Sequence, residues 1–63
     1  MNEYDVKRLA LILAIHAEIE GMKAENKRRE RQNYALAYTE DEFSVKAEEL
    51  RVLAHVSNDQ LFH

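Results

Sequence analysis

Along all 63 residues of this chain there is no proline and a single glycine, Gly21. Strands and tight turns need such residues as punctuation, so a fold of many short strands is excluded. Ala, Leu, Glu, Lys and Arg fill the chain instead, and these residues give up least on entering a helix. The expected fold class is therefore all-α.

Two helix starts can be read directly. Asn2 is placed to cap a first helix, with Glu3 and Asp5 in the turn where the helix dipole favours acids. Met1 and Val6 stand at hydrophobic-staple spacing. From there to about Tyr34 only Gly21 works against a helix, at about 1 kcal/mol relative to alanine. A second start lies at Thr39-Glu40-Asp41-Glu42, a capping box flanked by Tyr38 and Phe43 as its staple. The expected domain is a single helical hairpin over residues 1–63. Helix 1 covers about 3–34, the turn 35–39, helix 2 about 40–56, and a short tail 57–63.

The apolar pattern sets the architecture. Ile12, Ile15, Ile19 and Met22 recur at i, i+3, i+7 and i+10, widened by Leu11. Val6, Leu9, Leu13 and Ala17 form another stripe on a different side of the same helix. A helix apolar over so much of its girth is buried more completely than a surface helix with one stripe. Helix 2 carries Phe43, Ala47, Leu50 and Ala54, with Leu53 beside them and Val45, Val52 and Val56 roughly opposite. One short helix covers one face of helix 1, and a second copy of the chain is the simplest cover for the other. The hairpin is therefore expected to dimerise into a four-helix arrangement, with Val6, Leu9, Ile12, Leu13, Ile15, Ala17 and Ile19 as its oligomer interface. The alternative is a swapped dimer whose helices pair between chains. A reversal near residue 37 would set Leu50 opposite Ala24, Leu53 and His55 near Gly21 and Ile19, and Leu61 and Phe62 near Leu13 and Ile12. Gly21 and Ala24 would then allow close helix approach.

Size points the same way. A chain this short rarely draws more than about 3–5 kcal/mol from its own core. It has no cysteine, so disulfides and thiolate zinc sites are excluded. The formal charge of −3 and the interleaving of both signs suit a solvated helical surface better than a nucleic-acid binder. The longest apolar run, residues 9–15, is far short of the about 20 residues that span a membrane. No secretory signal is evident, with Glu3 and Asp5 before the run and His16, Glu18 and Glu20 after it. A cytoplasmic location and no membrane partner are expected.

Chemistry-bearing clusters are few. Lys23, Lys27, Arg28, Arg29 and Arg31 could contact phosphates along a helix, with Tyr34 and Tyr38 as stacking partners. Glu25 and Glu30 lie among them, which favours a charge-paired surface. His16 and Glu20 are i, i+4 neighbours, and the hairpin register could bring His55 to them as a zinc set. No HExxH, Glu-x-x-His, glycine-rich loop or G-x-S-x-G turn is present. Two helices also lack the volume for a pocket of about 300 Å³ in one subunit. No catalytic, cofactor or metal site is expected.

The stretch EGMKAEN at 20–26, AYTEDEF at 37–43 and AEEL at 47–50 resembles a pattern in small uncharacterised bacterial proteins, often from prophage or mobile-element gene sets. The resemblance covers residues 20–50 and implies an accessory protein that binds another macromolecule. The expected function is a homo-oligomeric protein–protein interaction or regulatory module. Its expected partners are a copy of itself and another protein. The alternative is a nucleic-acid-binding accessory factor that uses the Lys23–Arg31 face.

Overall fold

The computed structural model describes residues 2–55, which form two helices, α1 (Glu3–Arg31) and α2 (Glu40–His55), folded as a hairpin within one chain. The expected staple partner Met1, the turn after Ser57 and the docking of Leu61 and Phe62 lie outside those residues. No strand occurs among the described residues.

Helix α1 begins as its sequence dictates. The Asn2 side-chain oxygen accepts from the Asp5 backbone N–H at 2.9 Å, while the Asn2 carbonyl accepts from Val6 N–H at 3.1 Å. Helix α2 begins with a variant of the capping box. The Glu42 carboxylate reaches back to the Thr39 N–H at 2.7 Å, and the Thr39 hydroxyl donates to the same carboxylate at 2.5 Å. The hydroxyl thus turns to the acid, and the Thr39 carbonyl accepts from Phe43 N–H at 3.3 Å.

The end of α1 departs from expectation. The helix stops at Arg31, three residues before Tyr34. Asn33 takes a left-handed backbone with φ 60°. Its N–H donates to the Glu30 carbonyl at 3.2 Å, and the Tyr34 N–H donates to the Arg29 carbonyl at 2.8 Å. This pair of bonds is a Schellman ending with asparagine in the place glycine usually holds. Asparagine tolerates that conformation better than most side chains because its amide can bond locally.

The chain then returns along α1 instead of turning sharply at 35–39. Asn26, halfway up the C-terminal half of α1, donates from Nδ2 to the Tyr38 carbonyl at 2.8 Å and accepts from the Tyr38 N–H at 3.0 Å. One side-chain amide thereby satisfies both polar groups of a half-buried backbone unit, as a neighbouring strand would. Farther along, Lys46 pairs with Glu18, and Arg8 donates to the Leu53 carbonyl. These three ties are centred on residues 30–32, so the reversal point lies about five positions before the expected residue 37. Leu53 accordingly sits near Arg8 and Ile15, not Gly21.

Three apolar side chains are buried among the described residues: Ile15, Met22 and Leu53. Ile12, Ile19, Phe43, Ala47 and Leu50 are half-buried around them. The α1 stripe of Ile12, Ile15, Ile19 and Met22 is thus the one that meets α2. Gly21 and Ala24 are exposed, and a Cβ added at Gly21 meets nothing within 4 Å. The close helix approach expected there does not occur, because with Met22 buried Gly21 and Ala24 lie about 100° and 200° around the helix from it, off the face that meets α2.

Replacing Asn26 by alanine leaves the Tyr38 N–H and carbonyl without partners and should cost about 1–3 kcal/mol in urea-unfolding free energy. A change below about 0.3 kcal/mol would remove the clamp from the stabilising contacts. In the single hairpin, measured below the concentration at which chains associate, Gly21→Ala should raise stability by about 0.5–1 kcal/mol, since the site is helical and open there. A loss under those conditions would mean the glycine is covered within the subunit.

Candidate interaction surfaces

Three features of the hairpin could meet another molecule: the side of α1 turned away from α2, an apolar trough between the helices, and the charged end of α1.

The first follows from helical geometry. Leu13 lies two positions from Ile15, about 200° around the helix, so burying one points the other to solvent. Val6, Leu9 and Leu13 are 53%, 43% and 58% exposed, and Ala10 and Ala17 share their face. Between Val6 and Ala17 this face carries no charge. The seven expected interface residues thus divide. Ile12, Ile15 and Ile19 are taken up by packing inside the subunit, and Val6, Leu9, Leu13 and Ala17 remain outside.

The apolar trough has a volume of about 440 Å³ and is lined by Leu11, Ile15, Val45, Val52 and Leu53, with Glu48 and Glu49 on its rim. A second trough, about 590 Å³, runs past Phe43 and is lined otherwise by Glu20, Lys23, Ala24, Asn26, Lys27 and Glu30. Both run along the seam of the hairpin and lie open to solvent, so neither is an enclosed pocket.

The basic cluster is largely self-neutralised. Lys23 bonds Glu20 at 2.9 Å. Glu25 accepts from Arg28 at 2.6 Å and from Arg29 at 2.9 Å, and Arg28 also reaches Gln32 at 2.9 Å. The Arg28 and Arg29 hydrogen bonds hold the Glu25 carboxyl down at about 2, and the Glu25 bond raises the Arg28 guanidinium. Nor do the five cations form one surface. Lys23, Lys27 and Arg31 follow each other at i+4 spacing, while Arg29 lies about 200° around from Lys27. Tyr34 is exposed, whereas Tyr38 is half-buried and its backbone is clamped by Asn26. The second trough presents Lys23 and Lys27 together with Glu20 and Glu30, which is no phosphate-selective lining.

The candidate zinc set is not assembled. His16 stands 3.8 Å from Glu20, but the register puts His55 beyond Leu53, level with the first turns of α1. Among the described residues no group of three histidines or carboxylates has metal-holding geometry. No helix of the described residues is long and apolar enough to cross a membrane.

Sequence reasoning missed two functional elements of the hairpin. One is Asn26, whose signal was its being the sole asparagine within α1, where its helix propensity is poor. The other is the Glu18–Lys46 tie, which depends on a register that local pattern does not encode. The Glu18 bond raises the Lys46 ammonium above its ordinary value, against burial. Comparison with protein-family models, curated proteins and solved structures finds no match to this chain.

The depressed Glu25 carboxyl has a defined pH signature. Its pairing supports the fold above the ordinary glutamate value of 4.5 and is lost as pH falls through about 2. Carboxyl carbon NMR should show Glu25 titrating near 2, and Arg28→Gln should move that midpoint up towards 4.5. A midpoint of 4.5 in the native chain would mean the pair does not form in solution.

Proposed function

We propose that this protein is a non-catalytic, self-associating helical module of the cytoplasm that acts by holding itself, and through itself a protein partner, in a defined assembly. The observation that carries the reading is the exposure of Val6, Leu9 and Leu13 on an uncharged face of α1. Contiguous apolar surface of that kind marks interaction sites more often than ordinary monomer surface.

The small core supports it. Three buried apolar side chains among the described residues are few for a helical pair to stand alone, and a second copy adds burial without disulfide or metal. The nucleic-acid reading is weakened by the pairing of Lys23, Arg28 and Arg29 with glutamates. Phosphate contacts would have to displace those pairs, and the net charge of −3 opposes approach to a polyanion. The likeness of residues 20–50 to small mobile-element proteins fits an accessory binding role and specifies no partner.

Sedimentation equilibrium at low micromolar concentration should give twice the chain mass of 7.4 kDa. Leu13→Lys, which adds charge at an exposed position, should return the protein to a helical monomer. A native chain that stays monomeric at ~100 μM, a Kd weaker than about −5.5 kcal/mol of association, would end this reading. Binding to duplex DNA that weakens steeply with salt would revive the nucleic-acid alternative.

A further inference from the structure

We infer that the second copy seats antiparallel along the outer face of α1, with a two-fold axis level with Ile15. This rests on the self-association proposed above and specifies its surface and direction.

The first argument is shape. An axis at that level sets Val6 of one copy beside Ala24 of the other, Leu13 beside Ala17, and Ala10 beside Gly21 on one flank, while Leu9 on the other flank meets the stem of Glu20. Val6, Leu13 and Ala10 then each face a small residue, the arrangement that lets facing layers interdigitate. Gly21 and Ala24 are exposed, and Gly21 has open space around it. The room at Ala24 that α2 does not use is therefore where the partner's Val6 would fit.

Charge is the second argument, and it is independent of the first. The two ends of α1 carry opposite signs: Glu3 and Asp5 in the first turn, and Arg28, Arg29 and Arg31 in the last. In antiparallel helix pairs the flanking positions on the same side of the seam face each other. Glu3 and Arg28 share one flank of the apolar face, and Asp5 shares the other with Lys23 and Lys27, as 100° per residue dictates. The antiparallel arrangement opposes acid to base on both flanks, adding to the pairs that Glu3, Lys23 and Arg28 make within their own chain with Lys7, Glu20 and Glu25. A parallel arrangement would set the acidic end against the acidic end and the basic end against the basic end, which is repulsive.

The apolar trough is the competing seat for a second copy. Its rim carries Glu48 and Glu49, so self-pairing there would gather four carboxylates in one interface, each held by Arg51 or Lys46 of its own chain. The seam on the outer face of α1 brings in Glu20 alone from each copy, paired with Lys23.

Directed cross-linking tests direction and surface together, since the native chain has no cysteine. Ala10→Cys and Gly21→Cys chains, mixed and oxidised, should give the mixed disulfide as the main product. Ala10→Cys alone should cross-link poorly, because equal positions lie about 15 Å apart along the antiparallel axis, beyond disulfide reach. Lys27→Glu with Arg28→Glu should weaken the native dimer about tenfold, and adding Glu3→Lys with Asp5→Lys should recover most of that loss. Efficient Ala10–Ala10 cross-linking in a proven dimer would overturn the antiparallel seat while leaving self-association intact. A dimer broken by Val45→Lys but not by Ala17→Glu would move the interface to the trough. A native chain that sediments as a monomer would remove both this inference and the reading beneath it.

Discussion

A single side-chain amide holds the return of this chain in place. Asn26 meets both the N–H and the carbonyl of Tyr38, and so fixes where the connection after α1 crosses back over the helix. The segment 32–39 is otherwise irregular, and unpaired backbone groups in it would be costly wherever water is excluded. With Tyr38 held, Thr39 and Glu42 begin α2 at a set height on α1. Everything downstream follows from that height: Lys46 reaches Glu18, Leu53 reaches Ile15, and the Leu53 carbonyl reaches Arg8.

The same register decides which apolar residues the hairpin satisfies. Helix α1 spans 29 residues and α2 only 16, so about 43 Å of one helix is faced by about 24 Å of the other. The shorter helix covers the Ile12–Met22 stripe and leaves Val6, Leu9 and Leu13 outside. Among the described residues the hairpin has a thin core and an outer face that is uncharged from Val6 to Ala17, a combination that favours assembly. The glutamate–arginine pairs at the basic end work on another scale. They are exposed or partly so, and surface ion pairs contribute little net stability. Their effect is to satisfy cations that would otherwise be available to phosphates.

What could be read from the chain was the local chemistry. Asn2 as a cap, the Thr39–Glu42 start and the apolar stripe that meets α2 all depend on residues within a few positions of one another. The end of α1 was misplaced because Asn33 ends a helix only by adopting a left-handed backbone, and asparagine signals this far less strongly than glycine. The register was misplaced because it depends on Asn26 meeting a backbone unit twelve residues away. That error carried Leu53 and His55 with it, and with them the candidate zinc set, while the expected close approach failed because Gly21 and Ala24 lie off the face of α1 that meets α2. The two stripes were legible as lying on different sides of helix 1, but which of them α2 covers became clear only once α2 had a fixed position.

The most direct test of this account is the register itself. A nitroxide on Arg51→Cys, an exposed site on α2, should most strongly broaden the amide signals of residues 10–13 of α1 in a sample diluted with unlabelled chains. Broadening centred on residues 21–24 would place the reversal at residue 37 and contradict the role given to Asn26.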